Sequence, residues 1–346
     1  MILFNCDYTE GAHPRILERL MDTNMEQTIG YGMDEHCTKA REYIRSICED
    51  DSLDVHFLVG GAQANATVID AALKPYQGVI CAESGHINVH ETGAVEACGH
   101  KCITIPSTDG KLYASDVRTL FFNHFKNGGD EHMVQPKMVY ISNPTEYGTI
   151  YNKAELVELY NLCHEFGAFL FLDGARLGYG LMCKENDLSL AEIAEYTDVF
   201  YIGGTKVGAL FGEAVVISNK TIKEDFRYNI KQHGAMLAKG RLLGIQFETL
   251  FEDGLYFEIA RHAMMMAERI KAKLEELSVE FYMNSPTNQL FVVLPETVTS
   301  QLSQNYKLED MGQKDETHNI VRICTSWATK EENVQAFLND LERILA

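Results

Sequence analysis

The feature that most constrains this chain is a repeated alternation of short, wholly apolar runs with segments of helical length. Residues 55–59, 78–81, 138–142, 169–172, 199–202 and 214–217 read as strands. Gly60-Gly61 opens a helix over about 62–73, and Asn152 with Glu155, and Ser189 with Glu192, read as helix-starting capping boxes. Strands apolar on both faces belong in a mostly parallel sheet covered by helices on both sides. Ligands of such sheets bind beyond the carboxyl ends of the strands. That directs attention to Gly60, Gly61, Asn143, Asp173, Thr205 and Lys206.

A long helix expected over 255–277 leads into a tail that reads strand 289–294, helix 296–306, strand 320–324 and a last helix capped by Thr329 with Glu332. The organisation expected is a large domain, 1–254, and a small C-terminal α/β domain, 255–346, with segment 1–15 packing on the small one.

Composition narrows the function classes. The net charge of −20 argues against nucleic acid, which needs a basic face. No apolar run reaches the roughly 20 residues of a membrane helix, and the start, Met1 to Asp7, lacks a signal-peptide pattern. Nine cysteines without zinc spacing suit free thiols in a reducing cytoplasm, with no disulfide and no metal expected.

Lys206 follows a buried strand and two glycines, where an amine is desolvated and suited to Schiff-base chemistry. Its bland alternative is a surface loop lysine. Asp173 follows Phe-Leu-Phe-Leu, and a carboxylate there needs a partner because a lone buried charge is costly. A protonated pyridine nitrogen is one such partner; a helix N-cap or an ion pair with Arg176 is the alternative. One helix and one strand fit between the two residues, which puts them at adjacent strand ends. Together they point to pyridoxal phosphate (PLP), whose protonated ring acts as an electron sink. The turn at Gly60-Gly61-Ala62 offers helix N–H groups to a phosphate, while GxxxxGK[ST] and GxGxxG are both absent. His86 could lie flat over a pyridine ring or be an ordinary satisfied histidine.

These residues resemble the low-specificity L-threonine aldolases, of the β-eliminating lyase group within the fold-type I PLP-dependent enzymes. The likeness runs from Phe4 to the C-terminus. It is most specific at Leu172-Asp173-Gly174-Ala175-Arg176-Leu177, at Gly204-Thr205-Lys206-Val207-Gly208, and at His86 with Glu91 five residues on. The resemblance implies a transferase-like large domain built on a mostly parallel seven-stranded sheet, with a small α/β domain after it. It implies Lys206 as covalent anchor, Asp173 on the pyridine nitrogen and His86 stacked on the ring. Gly61, Ala62 and Thr205 are implied at the phosphate. Arg176 is implied beside the ring's 3-oxygen and the substrate carboxylate, with Arg322 clamping that carboxylate. His132 matches a histidine near the substrate hydroxyl, and Tyr31 a tyrosine reaching in from a neighbouring subunit. The activity implied is cleavage of L-threonine, L-allo-threonine or a related β-hydroxy-α-amino acid to glycine and an aldehyde, in a homodimer or homotetramer with shared sites.

The chain departs from the family's pattern in places. Cys6 stands where a serine usually precedes the aspartate of the carboxylate site. Ala62-Gln63 removes a phosphate hydroxyl, and Glu146 stands about where a His-containing turn is usual. The usual phosphate arginine near Met236 is missing, with Lys239 or Arg241 as substitutes. Three rival readings stay open on the sequence: an aminotransferase or β-eliminating lyase on the same fold, a catalytically inactive paralogue with a regulatory or structural role, and a nucleotide-binding α/β protein.

Overall fold

The computed structural model describes residues 1–126 and 131–345. The strands are β1 (Ile2–Leu3), β2 (Asp54–Leu58), β3 (Gln77–Ala82), β4 (Cys102–Ile105), β5 (Gln135–Ser142), β6 (Phe169–Asp173), β7 (Val199–Gly203) and β8 (Glu213–Ile217), followed by β9 (Glu280–Met283), β10 (Gln289–Pro295), β11 (Tyr306–Lys307), β12 (Glu309–Gln313) and β13 (His318–Cys324). A seven-stranded sheet has the order β2-β8-β7-β6-β5-β3-β4. Its neighbours pair in parallel except that β8 runs antiparallel to both β2 and β7. Two apolar clusters, one on each face, hold it. Leu58, Tyr140, Phe171 and Tyr201 point one way, while Val139, Leu170, Leu172 and Phe200 point the other. This two-sided burial is why the strands read as unbroken apolar runs.

The helices start where local chemistry dictates. The helix Lys153–Glu165 has the full Asn152/Glu155 capping box, and Leu190–Glu195 the Ser189/Glu192 one. The helices Glu35–Ile47 and Arg241–Glu252 cross at Gly244, where a Cβ would come within 2.6 Å of the Cys37 backbone nitrogen. Among the described residues, no helix is long and apolar enough to cross a membrane.

A second, antiparallel sheet has the order β12-β13-β10-β9 and its own core. The helix Leu255–Glu276 serves both cores: Leu255, Ala260 and Met264 pack with the large sheet, Met266, Ile270 and Leu274 with the small one. The N-terminus joins the small sheet's side. β1 pairs in parallel with β11, and the Phe4 ring packs against Phe337 with centroids 5.3 Å apart. The helix expected over 296–306 ends at Leu302, because Tyr306 is taken into the ladder with Ile2. The Thr329 capping box does not form; its hydroxyl accepts the N–H of Ser326 (2.8 Å), and the last helix begins at Glu331.

Candidate active site

A cleft of about 920 Å³ opens where the parallel strands end, closed on one side by β12 and β13. Asp173, Lys206, His86 and Arg176 line it, as do Gly61, Ala62, Thr205 and Arg322. The fold thus gathers residues from across the chain into one concavity.

Asp173 is the last residue of β6 and 4% exposed. Its Oδ1 accepts the N–H of Ala175 (2.9 Å). Its Oδ2 accepts the hydroxyl of Tyr140 (2.5 Å) and the side-chain amide of Asn65 (3.1 Å). All three donors are neutral, and among the described residues Asp173 forms no ion pair. A buried carboxylate with neutral donors and a face on a cleft fits a cationic ring nitrogen from a bound group. Gly174 sets the spacing: a Cβ there would overlap the Tyr201 carbonyl oxygen. The backbone can therefore lie directly against β7, where the Gly203 N–H donates to the Gly174 carbonyl (3.0 Å).

Lys206 follows β7 in a tight turn. The N–H groups of Gly204 and Thr205 both donate to the Gly212 carbonyl (3.0 and 3.1 Å). Burial, then the nearby Arg176 charge, lowers the Lys206 ammonium below its usual range, against the opposing pull of Asp7 and Asp173. An amine that sheds its proton more easily is a better nucleophile at neutral pH. The Thr205 hydroxyl accepts the Gly212 N–H (3.0 Å) and donates to Glu213 (2.8 Å). Burial pushes the Glu213 carboxyl up to about 8, despite the Thr205 bond and Lys206. Gly60 and Gly61 open the helix Gly61–Ala72 at the same end of the cleft, and a Cβ on Gly60 would meet nothing within 4 Å. The helix N-terminus is left accessible to an anion.

His86 begins the short helix His86–Val89. Its Nδ1 donates to Glu91 Oε1 (2.7 Å), which also accepts from Asn65 (2.7 Å). Asn65 thus ties Glu91 to Asp173. Burial lowers the His86 imidazolium, but Glu91 and Asp173 outweigh it, so the net shift is upward. Glu146 lies beside it: Oε1 accepts the His86 N–H (2.9 Å) and the Ser142 hydroxyl (2.8 Å). Burial raises this carboxyl as well.

Arg176 is half-buried and paired with the fully buried Asp7, a partner that sequence reasoning did not assign. Arg322 donates to the Asn5 carbonyl (2.7 Å) and to Gln289 (3.2 Å), and its buried Nε has no hydrogen-bond partner. That open donor suits a further anionic ligand.

Other expected residues lie off the cleft wall within the single chain. Cys6 is buried against the Asn5 amide and lies off the cleft wall; the next residue, Asp7, is the one engaged. His132 precedes β5, at the amino end of that strand, whereas the cleft lies at the carboxyl ends. Tyr31 lines a separate cavity of about 30 Å³ with Arg41 and Arg227. Arg241 is bound to the carbonyls of Thr23 and Asn24, Lys239 is exposed, and neither reaches the cleft.

The β-eliminating lyase family model matches residues 5–297. A low specificity L-threonine aldolase from Pseudomonas sp. (strain NCIMB 10558) is 29% identical over 352 residues, covering 99% of this chain and 98% of that protein. A Leishmania major threonine aldolase structure is 45% identical, with TM-score 0.97 and 100% of both chains covered. A Thermus thermophilus aspartate aminotransferase shares the fold alone, at 14% identity and TM-score 0.71, over 99% of this chain and 91% of that one.

Proposed function

We propose that this chain, which belongs to the β-eliminating lyase family, is a PLP-dependent aldolase that cleaves the Cα–Cβ bond of L-threonine, L-allo-threonine or a related β-hydroxy-α-amino acid to glycine and an aldehyde. The observation that carries it is the meeting of Asp173 and Lys206 in one cleft, at adjacent strand ends, in a chain similar to threonine aldolases along its whole length.

PLP, when bound, supplies an electron-poor ring that stabilises the electron pair left on Cα as the Cα–Cβ bond breaks. The residues divide the remaining tasks. Lys206 is the covalent anchor, its amine eased toward neutrality by burial. Asp173 holds the proton on the pyridine nitrogen and is kept in place by Tyr140, Asn65 and the Ala175 N–H. His86, fixed by Glu91, covers the ring face. Gly61, Ala62 and Thr205 hold the phosphate, assisted by the open helix N-terminus. Arg322, through its unpartnered Nε, binds the substrate carboxylate, and Arg176 flanks it from the Asp7 pair. With the carboxylate pinned by Arg322 and Arg176, the orientation of the substrate's Cα–Cβ bond would be fixed for cleavage.

The reading includes a homodimer or homotetramer. Besides Lys206, Arg176 and Arg322, no lysine or arginine among the described residues lines the cleft, so a second copy is the source of further positive charge at the phosphate end. Light scattering on the purified protein reads the mass directly; a monomer overturns this part.

The test of the reaction is a product assay with L-threonine, L-allo-threonine and L-phenylserine side by side. Glycine and the matching aldehyde are the expected products. A keto acid instead sinks the aldolase reading and favours the aminotransferase or β-eliminating alternative.

A further inference from the structure

We propose that Glu146 is the base that takes the proton from the substrate's β-hydroxyl. The inference rests on the aldolase reading above and adds to it the group that begins the chemistry.

Retro-aldol cleavage needs an acceptor for the hydroxyl proton within hydrogen-bond reach of the substrate. The groups on the cleft wall that can accept one are few. Asp173 is committed to three neutral donors on the sheet side. Glu213 is held by the Thr205 hydroxyl (2.8 Å) and the Gly204 N–H (3.1 Å), at the end where Gly61 lies. Glu309 stands in register with Arg322, at the carboxylate end. Glu83 and His90 are exposed at the rim. His86 has its Nδ1 on Glu91, and Glu91 with Asp173 favours its protonated form, which has no lone pair to take a further proton.

Glu146 differs from all of these. Its carboxylate is on the cleft wall beside His86, and it reaches the Asp173 side only indirectly, through the Ser142 hydroxyl, which lies 3.4 Å from the Tyr140 hydroxyl. Both of its fixed donors, the His86 N–H and the Ser142 hydroxyl, engage Oε1. The residue keeps part of its surface open to the cleft. Two donors on one oxygen fix the carboxylate plane and leave Oε2 to address a ligand. Burial, opposed by Ser142 and His86, raises this carboxyl, so its conjugate base binds a proton more firmly than an exposed glutamate does.

The step balances within the substrate and this one side chain. The β-hydroxyl O–H bond breaks toward Glu146 and its electron pair becomes the aldehyde C=O bond. The Cα–Cβ bond breaks and its pair stays on Cα. Glu146 returns its proton to solvent, and a proton taken up from solvent completes Cα of glycine.

The test compares wild-type holoenzyme with E146Q in three measurements: the visible absorbance of the bound cofactor, cleavage of L-threonine, and exchange of the glycine Cα proton into D2O by NMR. Exchange needs the anchor and the electron sink but no β-hydroxyl base. E146Q should keep the absorbance and the exchange, with kcat for threonine lowered on the order of 10²- to 10³-fold and KM little changed. Threonine cleavage at the wild-type rate overturns the proposal. So does an equal fall in exchange and cleavage, which would make Glu146 a support for His86. If E146Q loses the visible band, E146D decides: the proposal requires E146D to cleave faster than E146Q per mole of bound cofactor, and equal rates overturn it. Wild-type protein that releases no aldehyde from any β-hydroxy amino acid contradicts the aldolase reading itself, a distinct result.

Discussion

Arg176 grips Asp7 through two parallel hydrogen bonds, Nε to Oδ2 at 2.7 Å and Nη2 to Oδ1 at 3.0 Å. The pair ties the start of the chain to the turn after β6, and Asn288 at the head of the small sheet donates to the same Asp7 oxygen (3.0 Å). One carboxylate therefore links the N-terminus, the large sheet and the small sheet at the wall of the cleft.

Removing it should be costly. Asp7→Asn leaves the half-buried Arg176 guanidinium without its counter-charge, and the expected loss is about 3 kcal/mol of unfolding free energy at pH 7, read by urea titration. The pH dependence has a defined sign. Burial alone would raise the Asp7 carboxyl, but Arg176 and Lys206 overcome it and hold it at about 2 against a usual 3.8. The stability it contributes is therefore present above 3.8 and lost as pH falls through about 2. The gap between wild type and Asp7→Asn should narrow over that window; a gap constant from pH 5 to 2 contradicts the assignment.

Asp173→Asn keeps the shape but removes the charge that holds a ring nitrogen protonated, and its amide NH2 cannot accept at one of the two positions where the carboxylate oxygens now do. Lys206 is untouched, so the visible cofactor band should persist, while threonine cleavage falls on the order of 10²-fold or more. A variant with near-wild-type turnover would show that Asp173 is structural.

Much of this was legible in the chain, for identifiable reasons. Strands buried on both faces leave unbroken apolar runs, so β2, β6 and β7 could be read within a residue or so, and Asp173 and Lys206 stood out as polar residues just after two of them. The rule of looking at carboxyl ends failed for Glu213. β8 runs against its neighbours, so its first residue, not its last, comes to the cleft, opposite Leu58 and Gly203. Tyr140 and Asn65 were hidden because they sit mid-strand and mid-helix, where a polar atom looks like an incidental feature of a core position. Asp7 needed a partner from 169 residues away in sequence, and no local pattern carries that. Thr329-Lys330-Glu331-Glu332 misled because a nearer donor, the Ser326 N–H, takes the hydroxyl first.

Glu91→Gln tests the support of His86. Burial lowers the imidazolium while the Glu91 hydrogen bond, with Asp173, raises it to a net upward shift. The stability linked to that proton is present below the histidine's ordinary 6.5 and is lost as pH rises through the raised value. In Glu91→Gln the His86 titration followed by NMR should move to lower pH, and the variant should lose less stability than wild type as pH rises through that range. An unchanged titration would mean that the 2.7 Å contact carries no charge–charge component.

The central claim is that one amine, that of Lys206, carries the cofactor. Borohydride reduction of the PLP-loaded protein, followed by proteolysis and mass spectrometry, tests it most directly. The account predicts a pyridoxyl-phosphate mass addition on the peptide containing Lys206, and no visible band in Lys206→Ala. Label on another lysine, or a band that survives in Lys206→Ala, would contradict it.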